Sequence, residues 1–261
     1  MKRIAFYIML SCRVIYGQDS TNFSGIHSGE LFNFGSSSMY SNFAKAKPPG
    51  NSNLFISLTN RYGIDNLNNF NLAFTKKKAQ KNIGISYSIN QENNWLKHRW
   101  NAAIQMNYSE QWFFAPSLNI HLKNYSEIEK DPEYGASFSF GILYVQNNNW
   151  NISMQSSNIG RLNQNSSNME ITTGITYIYE KNLLLGLQMK ISNSHTTINN
   201  SINILYLTNS RKAIYTQYSI EGDYFHIGFS YQKKQISWSI LLGYHSKLGY
   251  SPSIEFNRFW I

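Results

Sequence analysis

Only 14% of this 261-residue chain is charged, whereas soluble domains carry about a quarter. Aromatic residues make up 15% and there is one cysteine, which excludes a disulfide-built scaffold and a disordered polar chain. The net charge of +9 would suit nucleic acid, but no basic helical pattern accompanies it, and its densest run, Lys76, Lys77, Lys78 and Lys81, reads as one interstrand turn near anionic headgroups.

Residues 1–17 have the form of a secretory signal, with Lys2 and Arg3 as the basic end, an apolar stretch from Ile4 to Leu10, and the small Gly17 before a cleavage point. Cys12, after Met9, Leu10 and Ser11, offers the alternative of a lipoprotein acceptor, against which stands the shortness of the apolar run. No stretch reaches the eighteen or so apolar residues of a spanning helix. Residues 18–52 are rich in Ser, Gly and Phe, include Pro48, Pro49 and Gly50, and lack sustained alternation. They are expected either to plug a lumen or to trail as a disordered periplasmic tail.

Residues 53–261 repeat one unit: about ten residues with every second side chain apolar, then a short polar break. Ile83, Ile85, Tyr87 and Ile89 alternate with Gly84, Ser86 and Ser88, and Tyr134, Ala136, Phe138, Phe140 and Ile142 alternate with Gly135, Ser137, Ser139 and Gly141. The repeat predicts fourteen strands, at 53–60, 68–75, 82–90, 98–108, 112–122, 133–146, 150–157, 169–180, 182–192, 198–208, 212–221, 223–232, 236–244 and 251–261. Connections after the fourth, sixth, eighth, tenth and twelfth strands shrink to about three residues, while 123–132 and 158–168 are longer and are expected to face the outside. The lysine-bearing connection after the second strand is longer than this rule predicts.

The second face of each strand is too small and polar to fill a core, so the aliphatic face must meet an apolar medium. Ile83, Ile85, Ile104, Leu118, Ile120, Phe138, Phe140, Leu185 and Leu187 are expected to face lipid. Tyr87, Trp100, Tyr108, Trp112, Tyr144, Trp150, Tyr177 and Tyr179 lie near run ends, as in the aromatic girdles of membrane barrels. The fold class is therefore all-β: a transmembrane antiparallel β-barrel of about 14 strands in the outer membrane of a Gram-negative bacterium. A last strand ending in Phe259, Trp260 and Ile261 suits closure against the first strand and delivery to the barrel assembly machinery.

Two features carry a family resemblance. Fourteen strands after an N-terminal insert resemble the long-chain fatty acid transporter (FadL) barrels and the PorV-like barrels of type IX secretion. The stretch from Phe55 to Leu67, with Asn60, Arg61, Tyr62 and Gly63 at a strand end and then Asn71, Leu72 and Ala73, is similar to the Asn-Arg-aromatic-Gly turn of the PorV-like group. The Asn-Pro-Ala-Gly motif of that group is absent, with Lys47, Pro48, Pro49 and Gly50 in its neighbourhood. The resemblance implies a barrel that binds or passes small apolar or amphipathic molecules, or alternatively an accessory that binds secretion-system subunits.

Catalytic chemistry has little support in the sequence. His27, His98, His121, His195, His226 and His245 are dispersed, with no metal-ligand spacing and no Gly-rich phosphate loop, so no enzyme activity, cofactor, metal or nucleic-acid partner is expected. A surface hydrolase would need a Ser, a His and an acid brought together by the fold. By parity the lumen-facing polar residues Gln105, Asn107, Asn119, His121, Gln188 and Lys190 are the ligand-binding candidates, with Lys190 able to meet a carboxylate. The plainer expectation is that they solvate the interior or pin the plug. Lipid and lipopolysaccharide are the expected surroundings.

Overall fold

The computed structural model describes residues 42–45, 51–64, 67–92, 94–125, 131–146, 149–160, 169–179, 183–192, 198–209, 212–220 and 224–260. Residues 1–17, read from the sequence as a secretory signal, and most of residues 18–52 lie outside these. The wall consists of β1 (Ser52–Asn60), β2 (Asn68–Lys78), β3 (Lys81–Glu92), β4 (Trp95–Asn107), β5 (Trp112–Tyr125), β6 (Glu133–Val145) and β7 (Trp150–Ile159), continued by β8 (Glu170–Tyr179), β9 (Leu183–Ser192), β10 (Ile198–Asn209), β11 (Lys212–Ser219), β12 (Tyr224–Lys233), β13 (Ile236–His245) and β14 (Gly249–Trp260). Each strand pairs antiparallel with its sequence neighbours, and β14 pairs back onto β1 from Ser52↔Trp260 to Thr59↔Ser253, closing a barrel without a free edge.

Alternation sets which way each strand faces. On β3 the buried residues Asn82, Gly84, Ser86, Ser88 and Asn90 line the interior, while Ile83 and Ile85 stay exposed on the outside. All nine residues expected to face lipid are exposed, from Leu118 at 38% to Ile85 at 58%. A water-soluble barrel would hide these side chains. Here they form a continuous apolar band, with Ile202, Ile227, Ile240 and Ile254 completing it on the far wall.

Two aromatic rows bound the band. At the end carrying the tight turns, Trp112 stacks near Tyr144 at 4.5 Å, Trp150 near Tyr177 at 4.6 Å, and Tyr231 beside Trp238 at 5.8 Å. At the opposite end stand Tyr134, Tyr218, Phe225, and the pair Tyr244 and Tyr250 at 5.1 Å. From Tyr134 to Tyr144 on β6 is about 33 Å of strand, or about 25 Å of height at the usual tilt, the thickness of an outer-membrane hydrocarbon layer.

The lysine-bearing connection corrects the sequence reading. β2 continues through Lys76, Lys77 and Lys78, β3 begins at Lys81, and only Ala79 and Gln80 form the turn, with Ala79 at φ 54°. Polar side chains had masked the end of the strand. Each long connection expected to face outside loses residues to its flanking strands: β5 runs to Tyr125 and β7 to Ile159.

Candidate functional site: the lumen and its two ends

At the turn-bearing end, a short piece of chain preceding the barrel lies inside it. Asn42 and the 3-10 turn Phe43–Lys45 are all buried against β4, β5 and β6. Asn42 holds this piece in place: its Nδ2 donates to the backbone carbonyls of Ile142 (3.1 Å) and Met154 (3.0 Å), while its Oδ1 accepts from Ala44 N–H at 3.0 Å. Gly141 makes the approach possible, since a Cβ there would overlap the Asn42 amide. Gln105 Nε2 donates to the Ala44 carbonyl and its Oε1 accepts from Asn82 Nδ2. Phe43 and Ala44 then pack with Phe55, Ala73, Ala103, Ala115 and Leu143, with Phe113 and Val145 alongside.

A second apolar cluster lies on the facing wall. Leu184, Tyr215 and Leu241 are buried with Ile178, Leu205 and Leu207 packed against them, all on the inward parity of their strands. Both clusters contradict a uniformly small, polar interior. Their signal was in the sequence as broken alternation: Leu183, Leu184 and Leu185; Leu205, Tyr206 and Leu207; and Ile240, Leu241 and Leu242 are apolar on both faces.

Towards the opposite end the lumen becomes polar. Tyr215 Oη lies 2.9 Å from both Asn203 Oδ1 and Gln217 Oε1, and His226 Nδ1 is 3.3 Å from that same Gln217 oxygen. The mouth itself is held by the residues that follow β1. Arg61, 2% exposed, donates to Glu92 at 2.6 Å. Tyr62, at φ 61°, donates its N–H to Ser251 Oγ (2.9 Å) and shares a 2.6 Å hydrogen bond with Tyr224 Oη, and the His245 ring packs edge-on against Tyr224 at 4.3 Å. The bend after Asn60 thus leans across β14 and β13 to β12.

The six candidate residues do not converge. Gln105 is buried and serves the Asn42–Lys45 piece. Asn107 is exposed at the end of β4, at the rim and not in the enclosed lumen. Asn119 donates to Ser139 Oγ at 2.8 Å, and His121 is buried over Gly135. Gln188 is buried on β9, across the barrel from β4 and β5, and near it Lys190 pairs with Glu170 at 3.1 Å. Parity identified inward positions but not neighbours across the lumen. Asn42, Phe43, Arg61, Glu92, Tyr62 and Tyr224 were missed, although the Asn60 to Gly63 turn was a visible signal for the bend carrying two of them. Among the described residues no three His, Cys, Asp or Glu side chains gather as a metal site.

No family model matches the chain, and no curated protein matches it in sequence. Solved structures do match in fold. The toluene transporter TbuX of Ralstonia pickettii superposes with a TM-score of 0.68 at 10% identity, covering 90% of this chain and 96% of that one. The toluene transporter TodX of P. putida gives 0.66 at 10% identity, covering 87% and 95%. The outer membrane protein Omp33 of Acinetobacter baumannii gives 0.55 at 6% identity, covering 80% and 98%. The architecture is that of a bacterial outer-membrane barrel.

Proposed function

We propose that this chain is an outer-membrane barrel of a Gram-negative bacterium that admits small apolar or amphipathic molecules by way of its lumen. The observation that carries the reading is that the inward face holds two apolar clusters, around Phe43 with Leu143 and around Leu184 with Leu241, their side chains buried within the barrel beside Asn42–Lys45. A wide water-filled diffusion pore would leave inward apolar side chains facing water, whereas here they are buried, as suits an interior that passes apolar rather than hydrated solutes. Two similar structures are toluene transporters, which fits a hydrocarbon-sized solute, and the proposal gives no side chain a catalytic role.

Cells whose lipopolysaccharide leaflet excludes hydrocarbons test it directly. Expression of the chain should raise uptake of radiolabelled toluene, and Phe43→Ala should change that uptake, while liposomes containing the refolded barrel should not swell in isotonic glucose. Free glucose entry without hydrocarbon uptake would replace this reading with a general porin. Mass spectrometry of the processed protein should place its N-terminus after Gly17, and a lipidated Cys12 would overturn that assignment. The secretion-partner alternative rests on the strand number after an N-terminal insert, which it shares with the transporter reading, and on the sequence resemblance around Asn60 to Gly63.

A further inference from the structure

The cations of the turn-bearing rim are not spread evenly. Around the barrel, β11, β12, β13, β14, β1, β2 and β3 follow one another, and the turn-side ends of these strands carry Lys212, Lys233, Arg258, Lys76, Lys78 and Lys81. By strand parity every one of them points outward, on the same face as the apolar band. On β2 the outward row reads Phe70, Leu72, Phe74, Lys76, Lys78; on β14 it reads Ile254, Phe256, Arg258, Trp260; on β12 it reads Ile227, Phe229, Tyr231, Lys233. The five lysines are exposed, and the Arg258 guanidinium sits 5.2 Å over the Trp260 ring. No described Asp or Glu shares the outward face of this arc. On the other half of the rim the described charge is Glu110, beside the β4–β5 turn.

We infer that this half-rim binds the phosphate groups of anionic phospholipids in the leaflet at the turn-bearing end. The inference rests on the membrane reading above and goes beyond it, because a bilayer alone requires aromatic girdles and not a one-sided arc of cations. Position decides between a lipid and an acidic protein as occupant. The cations lie in the same outward columns as the lipid-facing aliphatics, level with the aromatic row, as Lys212 opposite Tyr231, or one or two positions beyond it, as Lys233, which is headgroup depth. A polypeptide binding the end of the barrel would instead use the turn tips and the inward face. Lysine and arginine stems can lie along the apolar band while their charged ends reach phosphate, and each such cation adds attraction to an anionic surface.

The tryptophans report on the two halves separately, since Trp238 and Trp260 lie in the arc while Trp112 and Trp150 sit at the same end on the far side. Full-length protein, with the other tryptophans replaced by Phe to leave one pair at a time, is refolded into phosphatidylcholine vesicles containing one-fifth phosphatidylglycerol. Either lipid carries the bromine quencher. Brominated phosphatidylcholine should quench both pairs. Brominated phosphatidylglycerol should quench Trp238 and Trp260 at least twofold more than Trp112 and Trp150, and 0.5 M salt should shrink that excess. Replacing Lys76, Lys78, Lys81 and Lys233 by Gln should abolish the excess and leave quenching by phosphatidylcholine intact. Equal quenching of the two pairs by phosphatidylglycerol, with normal phosphatidylcholine quenching, overturns the lipid site and leaves the arc to an acidic polypeptide. Absence of quenching by either lipid overturns the membrane reading itself, and the lipid site with it.

Discussion

Two lumenal histidines show how single residues fit a barrel wall. His121 stands directly across from Gly135 and His226 directly across from Gly243, and in both places a Cβ on the glycine would overlap the ring. The imidazole covers backbone that glycine leaves bare, a packing only the smallest residue permits. Gly243→Ala should therefore destabilise the barrel by about 1–2 kcal/mol, read as a lowered urea midpoint on refolding into vesicles. In the His226→Ala background the same change should cost little, because the clashing ring is gone. Equal costs in both backgrounds would assign the effect to the backbone. Inward placement of these histidines was legible by parity alone. Their partners were not, since cross-strand register depends on turn lengths the sequence leaves ambiguous. The same limit hid Arg61 and Glu92, thirty-odd positions apart in sequence and joined only because β2 and β3 return the chain to the mouth.

At the scale of strands and turns the sequence was far more informative. A period of two with one apolar face survives every local irregularity, so the strand count and the facing of Ile83, Leu118 and Leu185 could all be read before the structure. Leu187→Arg should destabilise by about 2–4 kcal/mol, because Leu187 lies well inside the band, while Gln155→Arg, on the lumen face of β7, should cost much less in the same refolding titration. Indistinguishable effects would mean that the two faces meet the same medium. Strand ends were the illegible part. The lysines of β2 look like a turn because charge is rare inside strands, yet at headgroup level a strand continues with polar side chains. The tight turn that follows places Ala79 in the left-handed region at φ 54°, which costs an L-residue roughly 1 kcal/mol relative to glycine. Ala79→Gly should accordingly raise the urea midpoint, and a lowered midpoint would show that the hairpin gains more from restricting the unfolded chain than it loses to strain.

The whole molecule has two constrictions of different chemistry at opposite ends of one lumen. The turn-bearing end is occupied by Asn42–Lys45, held by the Asn42 amide and by Phe43 among apolar neighbours. The far mouth is narrowed by the bend at Arg61 and Tyr62, held by an ion pair and by hydrogen bonds to β12 and β14. Constrictions in series limit flow like resistors in series, so easing the lesser one changes little while the greater remains. Asn42→Ala removes both bonds to the wall carbonyls, and Tyr62→Ala removes the bond to Tyr224. In planar bilayers the variant that eases the lesser constriction should show conductance close to the parent, and the double variant should exceed the sum of the two single increments. If Asn42→Ala alone produces the full increase, the mouth is already open and the bend at Tyr62 is a strut of the wall. If Tyr62→Ala alone does so, Asn42–Lys45 leaves a passage beside it, and the apolar walls at Leu143 and Leu184 form the sides of that passage.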